Sequence, residues 1–146
     1  MRLTDHTYYS LRVLIYLNGH KKLVTLNELS KKVGVSKNNS IKVSNQMAKL
    51  NFIETSRGRS GGLIIKNETG RRSLKDIITR TEPSFYVAEC FSGQRCDSIY
   101  QIRCSLKLSL TDALRAFLDS LAQKTLDDVT PHSNQADINC NMKGFI

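Results

Sequence analysis

Apolar and polar positions along the first part of the chain fall into short helical blocks. Leu11, Leu14 and Ile15 recur at the spacing of one helix face, with Leu3 a little over two turns earlier, which predicts a helix over residues 4–18. Asn18 and Gly19 then read as its stop. Thr25 followed by Glu28 forms a capping box, in which the Thr hydroxyl accepts from the third backbone N–H and the Glu reaches back. It opens a short helix to about Lys32. A tight turn through Gly34 and a capping Ser36 lead into a further helix to about Leu50.

That helix has two unlike faces. Val43, Met47 and Leu50 fall at i, i+4 and i+7 and make a core stripe. Lys37, Asn38, Asn39, Lys42, Asn45, Gln46 and Lys49 lie mostly around the other side. Lys, Asn and Gln are side chains suited to phosphates and base edges. A helix, a short Gly-containing turn and a polar, basic helix make the helix-turn-helix pattern, and these residues are its candidate DNA contacts.

Two β-prone runs follow, residues 52–56 and 63–66, around a Gly-rich tip that carries Arg57 and Arg59 and no acid. Directly after a helix-turn-helix, such a hairpin reads as a wing, and both arginines join the candidate DNA contacts. A short helix over residues 73–81, with Leu74, Ile77 and Ile78 inward, ends before Glu82 and Pro83. No period appears through residues 83–104. From Ser105 to about Lys124, Leu106, Leu110, Ala113, Leu114, Phe117, Leu118 and Leu121 form a long apolar stripe. A helix this long in so small a chain needs a surface to cover, and a second subunit is the simplest.

The expected fold is therefore mainly α with a small β-hairpin wing: a winged helix-turn-helix plus a long C-terminal dimerisation helix. The divisions are a DNA-binding domain over 1–82, a loop over 83–104, a dimerisation helix over 105–128 and a flexible tail over 129–146.

Charge sharpens this picture. Residues 1–82 carry 16 Lys+Arg against 6 Asp+Glu, a net +10, whereas residues 83–146 carry 6 against 7, a net −1. The whole excess of the chain's +9 sits in the winged-helix part, where a polyanion would bind. No run approaches 18 apolar residues, and the first turns are polar, so neither a membrane helix nor a secretory signal is expected and the protein reads as cytoplasmic. The histidines, His6, His20 and His132, have no motif around them. With no nucleophile–base pair, phosphate loop or paired carboxylates, an enzyme is not expected.

Three of the four cysteines, Cys90, Cys96 and Cys104, share the 83–104 loop, and Cys140 lies near the end as a bystander thiol. In a reducing compartment such a cluster reads as metal-binding or redox-active. The close Cys pairs of zinc knuckles and of thioredoxin-like sites are absent. Three thiolates on one loop can wrap an iron–sulfur cluster, of 2Fe–2S or 4Fe–4S type, with a fourth ligand from elsewhere. A zinc-stabilised interaction module is the reading from a different class.

Residues 3–16, the turn at 33–37, the wing at 57–63 and the three-cysteine loop occur in that order. Together they resemble the Rrf-type winged-helix repressors that carry iron–sulfur clusters, and most of all the nitric-oxide-sensing branch of that family, over about residues 1–128. The resemblance implies a bacterial homodimer that binds a palindromic operator, with the recognition helix in the major groove and the wing at the minor groove. It implies that nitric oxide attacks the cluster and releases the repressor from DNA. A regulator of iron–sulfur assembly or of redox state is the alternative within the family. That sister branch has a His just after its third cysteine, whereas Ser105, Leu106 and Lys107 follow Cys104 here. The nitric-oxide-sensing branch places an Asp, donated by the partner subunit as fourth ligand, where this chain has Tyr8. The last cysteine gap is also longer here. Asp5, about one helical turn earlier on nearly the same face, is the candidate replacement, ahead of His6 and Tyr8.

Overall fold

A computed structural model describes residues 2–58, 61–88, 91–92 and 105–131. The elements run α1 (Asp5–His20), α2 (Leu26–Val33), α3 (Lys37–Lys49), β1 (Ile53–Ser56), β2 (Gly62–Ile65), α4 (Leu74–Thr81) and α5 (Ser105–Ala122). Short 3-10 turns follow β2 (Asn67–Thr69) and α5 (Asp127–Val129).

Local chemistry sets most helix starts. The side chains of Thr4, Thr25, Ser36 and Ser73 accept from the backbone N–H three residues on, at the heads of α1, α2, α3 and α4. Gly34 closes α2 in the left-handed conformation, φ 66°, with its N–H donated to the Ser30 carbonyl. The capping box at Thr25 is half formed, because the Glu28 carboxylate accepts from Tyr16 Oη at 3.2 Å.

β1 and β2 pair antiparallel from Ile53↔Ile65 to Ser56↔Gly62. Val24 extends the wing's base through two backbone bonds with Leu63, of 2.9 and 2.8 Å. A Cβ on Gly62 would stand 2.6 Å from the Val24 carbonyl oxygen, so the close approach there needs glycine. Leu63, Ile53 and Ile65 turn inward, while Glu54, Thr55 and Ser56 face out.

The core lies among α1, α2, α3, α4 and the base of the wing. Val13, Leu14, Leu17, Leu29, Val43, Met47, Phe52 and Ile77 are fully enclosed. On α1 the buried stripe differs from the expected one. It runs through Thr7, Ser10, Val13, Leu14 and Leu17, while Leu11 and Ile15 are half-buried. The inward Ser10 is satisfied by the His6 carbonyl at 2.8 Å, so a small polar residue can sit where apolar periodicity predicts none.

Asn18 and Gly19 do not stop α1, which continues to His20 and ends at Lys21 in the left-handed conformation. The Asn18 amide is instead a buried tertiary anchor that donates to Asp127 Oδ1 and Thr130 Oγ1, both at 2.8 Å. These partners come from the segment after α5, which folds back onto the winged helix. Leu74 N donates to the Lys124 carbonyl at 2.8 Å, Leu126 N to the Arg72 carbonyl at 3.0 Å, and the Leu126 side chain is fully buried in the core. Thr130 is also buried, so the chain stays on the body past residue 129, where the tail is expected to begin. Residues 132–146, with Cys140, lie outside the described residues.

α5 is different in kind: none of its residues is buried. Leu110, Leu114, Phe117, Leu118 and Leu121 are half-covered where the helix lies on α4, and Leu106 and Leu108 are 64% and 58% exposed. Lys75 of α4 pairs with Asp119 of α5 at 2.8 Å.

Candidate nucleic-acid interface

α2, the Gly34 turn and α3 form the expected helix-turn-helix. With its core stripe of Val43 and Met47 buried, α3 turns Lys37, Asn38, Ile41, Lys42, Asn45 and Lys49 outward. At 3.6 residues per turn these span an arc of roughly 140°. Five of the seven candidate contacts on this helix therefore share one open face. Asn39 and Gln46 are half-buried at its edge. Gln46 Oε1 is engaged by His6 Nε2, reaching across from the first turn of α1.

Between α3 and the wing runs a cleft of about 340 Å³. Ile41, Ser44 and Asn45 line one wall, and Thr55, Arg57 and Gly58 of the wing line the other. Arg57 is exposed and has no ion pair among the described residues, so its charge suits a phosphate. Arg59 lies outside the described residues. The chemistry of this surface is that of a nucleic-acid reader: point charges at the rim, amides in the middle and backbone glycines that allow close approach.

A second feature lies at the head of α1. Asp5 is exposed and pairs with Arg2 at 2.6 Å. Tyr8 is 52% exposed with the Arg12 guanidinium 5.6 Å over its ring, so Asp5, Tyr8 and Arg12 share one outer face. They border an open cleft of about 580 Å³ with Arg2, Leu3 and Tyr9. On the opposite side, Glu82 Oε2 accepts from Thr4 N at 3.0 Å and from Thr4 Oγ1 at 3.1 Å. The residue that leads into the 83–104 loop is thereby tied to the cap of α1.

Cys90, Cys96 and Cys104, the candidate cluster ligands, lie outside the described residues. The donor set itself, three thiols on one loop with an exposed carboxylate elsewhere in the chain, suits an iron–sulfur cluster by its chemistry. In the sequence Cys104 immediately precedes Ser105, the first residue of the 18-residue α5. Asp5 offers an exposed carboxylate already seated on a charged, open face.

Sequence reasoning weighed His6 only as a runner-up cluster ligand, and it passed over Glu82, which has no motif around it, and Ile41, which is apolar. Only the meeting of α1 with α3 and with the end of α4 gives the first two a role.

Comparison with known proteins agrees with this geometry. The profile of the Rrf2 family, described as an iron-dependent transcriptional regulator, matches residues 3–132. The HTH-type transcriptional regulator NsrR of Bacillus licheniformis is 39% identical over 131 residues, covering 88% of this chain and 92% of that protein. Its namesake in Bacillus subtilis is 34% identical over 140 residues, covering 94% of each. Among solved structures, T. potens IscR superposes with a TM-score of 0.67 at 18% identity over 88% of this chain and 85% of that one. CymR of B. subtilis, the global cysteine regulator, superposes with 0.67 at 16% identity over 89% and 96%. The solved structures share the fold, and the curated relatives are transcriptional regulators rather than enzymes.

Proposed function

The chain belongs to the Rrf2 family of transcriptional regulators, and from that premise we propose that it is a cytoplasmic, homodimeric repressor whose hold on a palindromic operator is gated by an iron–sulfur cluster sensitive to nitric oxide. The observation that carries the DNA-binding part is the single open face that joins the exposed arc of α3 to Arg57 of the wing. Lys37, Lys42, Lys49, Arg57 and Arg59 take phosphates, and Asn38 and Asn45 reach base edges, with Gln46 beside them.

Cys90, Cys96 and Cys104 hold the cluster, with Asp5 of the partner subunit as fourth ligand. When bound, the cluster supplies iron that nitric oxide attacks. The chain's own residues carry the consequence to DNA. Glu82 joins the start of the cysteine loop to Thr4, Thr4 caps α1, and His6, two residues on, holds Gln46 of the recognition helix. A shift of the loop thus moves the first turn of α1, and with it a side chain at the edge of the reading face. The half-buried stripe of α5 meets its counterpart on a second subunit and sets the spacing of the two recognition helices. A change of about 3 kcal/mol in operator affinity lowers binding roughly a hundredfold, enough for a switch.

The test is purification without oxygen, a visible spectrum with iron and sulfide counts, and titration with nitric oxide while operator binding is followed. Colour, iron and sulfide, and loss of binding on titration are expected. Colourless protein carrying zinc would replace the cluster reading with a zinc-stabilised one. Serine at Cys90, Cys96 or Cys104 should bleach the spectrum, and serine at Cys140 should not.

A further inference from the structure

Ile41 stands where a DNA-reading helix has little reason to keep an aliphatic side chain. It is 39% exposed, near the middle of the polar arc of α3, about 40° round from Lys37 and about 40° short of Asn45. Helix stability does not ask for it, since a β-branched residue is a poorer helix former than the Ala or Lys that such a position accepts. The core does not ask for it either, because the inward stripe is filled by Ser40, Val43, Ser44 and Met47. One exposed isoleucine is ordinary on a protein surface. This one, however, lines the same cleft as Asn45 and Arg57, on the face that the proposed function turns toward DNA.

The base edges in the major groove present hydrogen-bond donors and acceptors and a single apolar group, the 5-methyl of thymine. We propose that Ile41 is a specificity-determining residue that packs against a thymine 5-methyl in each operator half-site. The inference rests on the DNA-binding reading above and adds to it one defined base. Lys37 and Lys42 flank Ile41 and bring it to the groove through the backbone, and Asn45, one turn on, is suited to an adenine edge. Ile41 supplies what none of these polar side chains can, a preference for a methylated pyrimidine over the same base without its methyl.

The test uses the full chain, purified without oxygen, and duplexes it enriches from a randomised pool. Each thymine of an enriched half-site is replaced in turn by uracil, which removes the methyl and leaves the hydrogen-bonding pattern intact. One position per half-site should weaken wild-type binding, by about fourfold per methyl, from the burial of one methyl-sized group. Ile41→Ala, which removes the contact in both half-sites, should weaken binding to the thymine duplex by about fourfold per half-site and bind thymine and uracil duplexes equally, with an unchanged thermal midpoint. Ile41→Val should keep part of the discrimination. A wild type indifferent to uracil everywhere, or an Ile41→Ala protein with the wild-type thymine-to-uracil ratio, would overturn the assignment while leaving DNA binding intact. If no duplex is enriched, or if Lys42→Ala and Arg57→Ala bind as wild type, the reading face itself is wrong and the assignment falls with it.

Discussion

The body of the protein and α5 are both rich in aliphatic residues, and they use them in opposite ways. In the body, side chains from α1, α2, α3, α4 and the wing close over one another until Val13, Leu14, Leu29, Met47 and Phe52 are fully buried. α5 is longer than any of these helices, yet it has no buried residue. The charge divides in the same way, +10 over residues 1–82 and −1 over 83–146. A self-sufficient core can carry a charged outer face, because its stability does not depend on that face. A helix with half-covered leucines depends on a second surface, and it cannot meet a copy of itself across a strong excess of one charge. On the proposed reading, the difference separates the part that meets DNA from the part that meets another subunit.

The sharpest way to break this contrast is to charge the stripe of α5. Leu114→Asp should dissociate the proposed dimer, because an unpaired carboxylate in a packed interface costs about 3–5 kcal/mol. The body should unfold at its usual temperature. Sedimentation with a thermal scan checks both, and a variant that stays dimeric would remove α5 from the interface. Leu126→Ala tests the opposite half. Leu126 follows α5 in the chain but sits wholly in the body's core, so its truncation should cost about 2–5 kcal/mol of unfolding free energy. Leu108→Ala, at a 58% exposed position, is the control and should cost far less.

Asn18 marks the seam between the two regions. Asn18→Ala removes two 2.8 Å hydrogen bonds, a buried one to Thr130 and a part-buried one to the Asp127 carboxylate, and should cost about 1–3 kcal/mol in denaturant unfolding. The charge half of the contrast is probed by salt. Arg57→Ala should weaken operator binding and flatten the log–log salt slope by about one for each phosphate that its guanidinium neutralises. A substitution of Arg115, on α5, should leave that slope unchanged.

The smallest effect is acid sensitivity at the seam. At Asp76, burial raises the carboxyl's pKa, but the hydrogen bonds and charges of Arg80 and Arg72 more than reverse this and hold it below the ordinary value. At Asp128, bonds from the Thr125 backbone and hydroxyl lower it. A depressed carboxylate stabilises the fold above its unfolded pKa, near 4, and loses that contribution as pH falls through the folded value. Asp76→Asn should therefore show a shallower fall in stability than the wild type as pH drops below about 4, read from denaturant melts at stepped pH.

How much of this was legible in the chain depends on how far each cause reaches. Thr25, Ser36 and Ser73 announce helix starts because a cap and its partner lie three residues apart. The outward arc of α3 and the arginine at the wing tip could be read for the same reason: period and turn chemistry are local. Asn18 and Gly19 were misleading because Asn18 is read as a helix stop until its partners, Asp127 and Thr130, are placed beside it from the far end of the chain. Thr7 and Ser10 hid half of α1's inward face because small polar residues break an apolar period, although nearby oxygens satisfy them.

The sequence by itself determined the order of elements, the helix-turn-helix and wing, the concentration of positive charge ahead of residue 83 and the family to which these features point. Only the tertiary structure decided that Glu82 meets Thr4 and that His6 meets Gln46, at either side of the first turn of α1. It also decided that the segment after α5 returns to the first core and that Ile41 faces outward among amides and lysines. The physical reason is the range of the interactions. Caps, turns and helical periods arise from neighbours within a turn or two, whereas burial and cross-element hydrogen bonds exist only after segments 40 to more than 100 residues apart have met.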